Sequence, residues 1–230
     1  MLELSEQAAT AHPAATVVLV RDGDEGLEVL LVQRNKALAH MGGMWVFPGG
    51  RVDAVDRGPQ ADAYQAALNA AIRETREETG LALAEQQLSY LSHWVTPEGV
   101  RRRFDTWFFL AVLDDDQDVI VDGGEIADHR WVRPAVALAE LADPAHPFRL
   151  MPPTYVSMVE LADCCDCGAA LARVGAREAP RFAPRMVFVP DGICFLYEGD
   201  AGYDSLELEV AGARHRTYMV DGRLEYVCEN

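Results

Sequence analysis

Several things are scarce in this chain, and each scarcity narrows the reading. Cysteine is sparse and odd in number: Cys164, Cys165, Cys167, Cys194 and Cys228, three of them crowded within four positions. That is no disulfide framework, so reduced thiols are expected. No second cluster with ligand spacing follows, and the three neighbours read as helix-borne cysteines in preference to a zinc site. Positive charge is scarce too, with 20 Lys and Arg against 37 Asp and Glu and a formal net charge of −17. Such a balance argues against general nucleic-acid binding, which rewards a positive surface. It leaves room for a small anionic substrate, because a divalent cation can bridge protein carboxylates to phosphate oxygens.

Long hydrophobic runs are missing as well. Thr16 to Val20 is too short to span a bilayer or to form a signal core, and Met1 to Ala15 carries acids where a signal peptide would be basic. The expectation is a cytoplasmic protein with no membrane partner. Internal repeats, low-complexity tracts and obvious flexible linkers are also lacking.

What is present is 230 residues, half of them hydrophobic, enough for one good core and a small second module. Ala15 to Arg21 and Leu27 to Gln33 read as two strands of a hairpin across Asp22-Gly23-Asp24-Glu25-Gly26. A short strand over Met44 to Phe47 stops at Pro48-Gly49-Gly50. Ala61 to Thr79 is composed almost wholly of helix formers, with Ala67, Leu68, Ala71, Ile72 and Thr75 as its buried stripe and Gly80 as its left-handed cap. Further strands are expected over Leu88 to Val95, Asp105 to Leu113 and His129 to Val132, then a short helix near Pro134 to Leu141. Thr154 to Val174 reads as one helix, followed by strands that turn at Asp191-Gly192 and Asp221-Gly222. The fold class is therefore α/β (α+β), with a core over residues 13–146 and a C-terminal helical and β extension over 147–230 packed on it.

The chemistry concentrates in Arg73-Glu74-Thr75-Arg76-Glu77-Glu78-Thr79-Gly80-Leu81. Glu74 and Glu78 are four residues apart, so on a helix they share a face about 6 Å apart along the axis. Together they can grip one cation. Carboxylates that close tend to retain a proton unless divalent metal keeps both ionised. Arg73 and Glu77 can form a second i, i+4 pair that orients the helix face. On an ordinary exposed helix such a pair adds only about 0.2–0.5 kcal/mol, so the charges alone leave the question open.

Context answers it. Phe47-Pro48-Gly49-Gly50 ahead of the helix and Glu-Glu-Thr-Gly-Leu at its end resemble the Nudix box, G-x5-E-x7-R-E-U-x-E-E-x-G-U, with U bulky and apolar. Gly50, Arg73, Glu74, Glu77, Glu78, Gly80 and Leu81 match it, and Asp56 falls where the first Glu is expected. Thr75 replaces an apolar residue, and Gly50 to Arg73 is 23 positions where the pattern has 14, an enlargement expected in the loop around Val55 to Ala63.

The resemblance implies a mixed sheet sandwiched between helices and a magnesium or manganese ion on Glu74, Glu78 and the Gly49 carbonyl. The reaction it implies is hydrolysis of a diphosphate linkage in a nucleotide-containing small molecule. It places Glu77, Glu78 and Arg73 among the catalytic residues. A loop acid often joins such sites as ligand or base; Glu125, six residues before Trp131, is the candidate, and a solvated turn residue is the plain alternative.

The flanks, Leu30 to Asn35 and Gly43 to Asp53 with Thr96-Pro97-Glu98, Arg103 to Thr106 and Leu150 to Thr154, look like the branch containing peroxisomal coenzyme A diphosphatases and bacterial relatives. Asn35 and Trp45 depart from its signature. That similarity implies coenzyme A or an acyl derivative cut to 3′,5′-ADP and a phosphopantetheine, with Arg34, Arg51 and Arg103 as substrate contacts. Arg101 and Arg102 would suit a 3′-phosphate or merely balance an acidic surface. Arg214-His215-Arg216 is a further basic group, read as an exposed strand edge. Trp94, Trp107 and Trp131 are read as core, and His40 and His93 need no catalytic duty. An ADP-ribose, NADH or dinucleoside polyphosphate hydrolase and a non-catalytic nucleotide sensor stand as alternatives, and a homodimer contact is a possible use of the extension.

Overall fold

The structure is a computed structural model and describes residues 3–5, 9–59, 61–113, 117–143 and 146–229. Of the N-terminal acids noted above, Glu6 lies outside the described residues.

The β-branched and leucine-rich segments at the start pair as the sequence anticipates. Strand β1 (Ala11–Gly23) turns through Asp24-Glu25 into β2 (Gly26–Arg34), and the two pair antiparallel from Val20↔Val29 to Gly23↔Gly26. They then splay apart. β3 (Trp45–Val46) continues along β2, and β4 (Gly49–Arg51) continues along β1 at Thr16↔Gly49, Ala15↔Gly50 and Ala14↔Arg51. The arch Phe47-Pro48 thus crosses the gap between the two long strands, where no continuous ladder holds them. β5 (Ser89–Val95), β6 (Arg103–Val112) and β7 (Ile126–Val132) complete the core, β6 lying parallel to β1 and β7 antiparallel to β2.

Helix α1 (Ala63–Thr79) begins at Asp62, whose carboxylate accepts the Gln65 N–H at 2.8 Å, and ends at Gly80 with φ 74°. Its buried face is unusually small: Ala66, Ala67, Ala70 and Ala71 are almost fully covered. Small side chains let the helix axis approach the sheet closely, against Ala15, Val17, Leu19 and Phe109. The opposite face of the sheet packs under α2 (Pro134–Ala142), α3 (Pro152–Leu161) and α4 (Cys167–Gly175).

The single helix expected over Thr154 to Val174 is two. Residues 162–166 leave the helical path because tertiary partners claim their backbone: Leu27 N–H donates to the Cys165 carbonyl at 3.1 Å, and Cys167 N–H donates to Asp22 at 2.7 Å. Asp166 then caps α4 by accepting the Ala169 N–H.

β8 (Arg181–Phe182) joins the core sheet beside β5. β9 (Arg185–Val189), β10 (Gly192–Leu196), β11 (Arg214–Val220) and β12 (Arg223–Glu229) form a separate antiparallel sheet, ordered β12-β11-β10-β9. Its Phe195 and Tyr197 share one apolar cluster with Val18, Trp94 and Phe108 of the core, and Phe182 stacks on Trp94 at 3.9 Å. The basic triplet Arg214-His215-Arg216 does not form an edge: β11 is an inner strand, and Arg216, 2 % exposed, is bonded through two nitrogens to the Asp200 carboxylate at 2.6 and 2.7 Å.

Candidate active site

The last two turns of α1 face the β3–β4 arch, and the two elements meet through glycine. Glu78, 5 % exposed, accepts the Gly49 N–H on Oε2 at 2.9 Å. Gly49 has φ +155°, and a methyl group on it would sit 2.3 Å from the Ala15 carbonyl, so only glycine fits. Glu74 packs on the next residue: a methyl on Gly50 would lie 2.4 Å from its carboxyl carbon. The paired glycines make the space in which both carboxylates reach the strand.

Arg73 holds this face together. It donates to both Asp56 oxygens (2.9 and 2.8 Å), to Glu74 (2.8 Å), to Glu77 (3.0 Å) and to the Arg51 carbonyl (3.0 Å). The anticipated Arg73–Glu77 pair is present, but it is the most exposed of these contacts. Asp56 is the partner that spacing alone left without a role. It ends a single 3-10 turn over Ala54–Asp56, is 3 % exposed, accepts the Asp53 N–H, and receives the Asn69 amide on its carbonyl. The enlarged loop is thereby pinned to the helix. Burial acts to raise the Asp56 carboxyl, but the Arg73 hydrogen bonds and the Asp53 N–H carry it below its ordinary range.

The two helix acids are shifted the other way. Burial pushes Glu78 up to about 8, helped by Glu74 and Glu125, while the Gly49 N–H and Arg34 oppose. Glu74 is also raised, first by burial, against the pull of Arg73. Glu125 is therefore within electrostatic reach of both. It is anchored by Arg34 at 2.7 Å, its own backbone carbonyl accepts the Asn35 N–H, and the preceding turn is held by three N–H groups on Asp122. Arg73 is thus bonded to Glu74 and Arg34 to Glu125, and the Glu125 charge acts on both Glu74 and Glu78. Arg103 does not join them through its guanidinium, which donates to the Thr96 and Ala9 carbonyls at 3.1 and 2.9 Å. Arg51 offers its carbonyl to Arg73, and its side chain is exposed.

A hard divalent ion suits these donors. They are oxygens, two of them carboxylates whose ionised forms burial disfavours and a cation would favour. Among the described residues no group of three or more His, Cys, Asp or Glu side chains is gathered to hold a metal. Such an ion would therefore complete its shell from backbone, water and substrate oxygens, as magnesium commonly does.

The glycine arch of the sheet and the glutamate-bearing helix packed on it thus bring Glu78 and Glu74 against Gly49 and Gly50 in an α/β domain. A family model described as NUDIX domain matches residues 10–151, and the chain belongs to the Nudix family. Among its relatives, the chain is 30% identical over 139 residues to a Mycobacterium tuberculosis protein provisionally named 8-oxo-dGTP diphosphatase 3, covering 59% of this chain and 57% of that one. It is 30% identical over 122 residues to the human acyl-coenzyme A diphosphatase NUDT19, covering 49% and 31%. The chain thus spans 57% and 31% of the length of these two curated relatives. A NUDIX hydrolase from Alicyclobacillus acidocaldarius shares the fold with a TM-score of 0.62 at 23% identity, over 74% of this chain and 98% of that one. No helix among the described residues is long and apolar enough to cross a membrane.

Proposed function

We propose that the chain hydrolyses a diphosphate linkage in a nucleotide-containing small molecule, with magnesium or manganese as cofactor, and that coenzyme A or an acyl-coenzyme A is its substrate. The observation that carries the reaction is the buried Glu78 beside Gly49, with Glu74 one turn away, both carboxyls raised chiefly by burial and Glu78 further by Glu74. Such a pair is unfavourable without a ligand cation.

In this reading Glu74, Glu78 and the Gly49 backbone hold the ion. When bound, it supplies charge stabilisation to the phosphate oxygens. Arg73, fixed by Asp56, keeps Glu74 and Glu77 in place. Glu125, tethered by Arg34, takes the proton from the attacking water. Arg51 lies at the exposed end of the glycine strand, where it can meet phosphate oxygens. The coenzyme A assignment is supported by the flanking motifs and by the similarity to the acyl-coenzyme A diphosphatases; the relative named for 8-oxo-dGTP favours a nucleoside triphosphate as the second reading.

The test is a substrate panel with magnesium: coenzyme A, ADP-ribose, NADH, a dinucleoside polyphosphate and 8-oxo-dGTP. Coenzyme A should be cut fastest, and Glu78→Gln should abolish metal-dependent turnover while leaving the fold intact. Coenzyme A as the poorest substrate would remove that assignment, and an undiminished rate in the variant would remove the site.

A further inference from the structure

The loop that carries Glu125 contains two adjacent glycines, Gly123 and Gly124, and the Glu125 side chain is 51 % exposed. Glycine retains more backbone freedom than any other residue, so a carboxylate placed there keeps one position only if the loop is fixed by bonds of its own. Asp122 supplies the first of them. Its carboxylate accepts the Gly124 N–H at 3.2 Å and the Glu125 and Ile126 N–H groups at 2.8 Å. Those bonds set the shape of the turn, but not where it sits against the helix of candidate catalytic acids.

Its place is set from two sides. On the helix side, the Ile120 N–H donates to the Thr79 carbonyl at 2.8 Å, one residue beyond Glu78. On the sheet side, the β2–β7 ladder steps over Ala127 between Gln33↔Asp128 and Arg34↔Ile126, an irregularity of the kind that re-aims a strand end. Asn35 continues the contact beyond β7. Its backbone N–H donates to the Glu125 carbonyl at 2.8 Å, and its side-chain Nδ2 donates to the Gly124 carbonyl at 3.1 Å. These two carbonyls belong to the peptides on either side of the Glu125 Cα, so one residue fixes both the origin and the direction of the Glu125 side chain. The Asn35 Oδ1 accepts the Ala37 N–H at 3.0 Å, which orients the amide for this grip. Arg34 holds the other end of Glu125, its carboxylate, at 2.7 Å.

We propose that Asn35 is a positioning residue for the hydrolysis: by gripping both peptides that flank Glu125, it sets where that carboxylate meets the attacking water. A general base must lie within hydrogen-bond reach of the proton it takes, and a displacement of about 1 Å costs on the order of a hundredfold in rate. Arg34 alone does not meet that demand, because an ion pair to a half-exposed carboxylate leaves the backbone beneath it free to move. Asn35 is also a position at which the chain departs from the branch its flanks resemble, so this grip does not come with that resemblance. The inference deepens the hydrolase reading and rests on it, and in particular on Glu125 as the base.

The experiment is a double-mutant cycle of Asn35→Ser and Glu125→Gln, read as kcat and KM with magnesium and the fastest substrate of the panel. Serine keeps an acceptor for the Ala37 N–H and loses the reach to Gly124. Glu125→Gln should lower kcat by roughly a hundredfold, and Asn35→Ser by roughly tenfold, each with KM little changed. Placed in the Glu125→Gln background, Asn35→Ser should cost no further factor, since the group it positions is gone. The same loss in both backgrounds, or a wild-type kcat in Asn35→Ser, overturns the proposal. If Glu125→Gln alone keeps the wild-type kcat, the assignment of the base has failed and the positioning role falls with it. If wild type cleaves nothing in the panel, the hydrolase reading itself has failed, and the grip is read by amide hydrogen exchange: the Glu125 and Ile126 N–H groups should exchange faster in Asn35→Ser at unchanged Tm, and unchanged exchange overturns it.

Discussion

Arg73 grips Asp56 through two parallel hydrogen bonds of 2.9 and 2.8 Å, and this pair ties a loop seventeen residues upstream to the helix that carries the candidate catalytic acids. With Asp56 3 % exposed, the pair is largely screened from water. Removing one partner leaves the other charge uncompensated. Asp56→Ala should destabilise the protein by about 3 kcal/mol and lower kcat by freeing Arg73 from its orientation toward Glu74 and Glu77. Thermal melts and steady-state rates check this. A variant with wild-type kcat would show that Asp56 serves the fold alone, and Asp56→Glu should recover part of both losses if the contact positions Arg73.

Glu78 predicts an unusual pH dependence. Its folded pKa, pushed up to about 8 by burial, lies above its value of about 4.3 in an unfolded chain. The folded state therefore binds that proton more tightly. The contribution is fully present below pH 4 or so and is lost as pH rises toward 8. Metal-free protein should lose stability across that window, and Glu78→Gln should melt higher than wild type at pH 8 but not at pH 4, by about 2–4 °C for each kcal/mol relieved. Magnesium should raise the wild-type Tm at pH 8 and leave that of the variant nearly unchanged. A variant that melts no higher than wild type at pH 8 removes the buried-carboxyl argument.

Thr75 occupies the apolar position of the helix motif, is fully buried, and among the described residues its hydroxyl has no hydrogen-bond partner. A buried hydroxyl without a partner carries its desolvation penalty unrelieved. Thr75→Val has nearly the same shape and should stabilise the protein by about 1 kcal/mol. Chemical denaturation measures this directly. A loss of stability would mean that the hydroxyl is satisfied in solution by bound water.

Asp200 and Arg216 make the corresponding test for the C-terminal sheet. Burial acts to raise Asp200, but Arg216 and the N–H groups of His215 and Gly202 hold it down at about 2. A depressed carboxyl contributes stability that is present above its unfolded pKa of about 3.9 and is lost as pH falls toward 2. Asp200→Ala should cost about 3–5 kcal/mol by stranding the buried guanidinium. It should also flatten the acid limb of the pH–stability curve between pH 4 and 2, which urea titrations at stepped pH would record.

Much of the core could be read from the order of residues. The hairpin, the helix with its Gly80 end, and the three later strands lie within a few positions of expectation, because alternation, helix formers and a left-handed glycine act locally. The Glu74 and Glu78 pair was equally legible, since i and i+4 share a helix face whatever the tertiary context. Misreadings fell where long-range partners compete with local preference. Thr154 to Val174 has helical composition throughout, yet Leu27 and Asp22 draw its middle out of the helix. Arg214-His215-Arg216 has the look of a solvated edge, but Asp200 makes Arg216 a core residue.

By itself, then, the order of residues determined the candidate acids and their spacing on one helix, because helical periodicity needs no distant information. Tertiary structure alone decided their surroundings: that Glu78 is buried against Gly49, that Asp56 accepts two hydrogen bonds from Arg73, and that Arg34 anchors Glu125. Those relations follow from the splaying of β1 from β2 and from which charges lose access to water, and neither is encoded at any fixed separation along the chain.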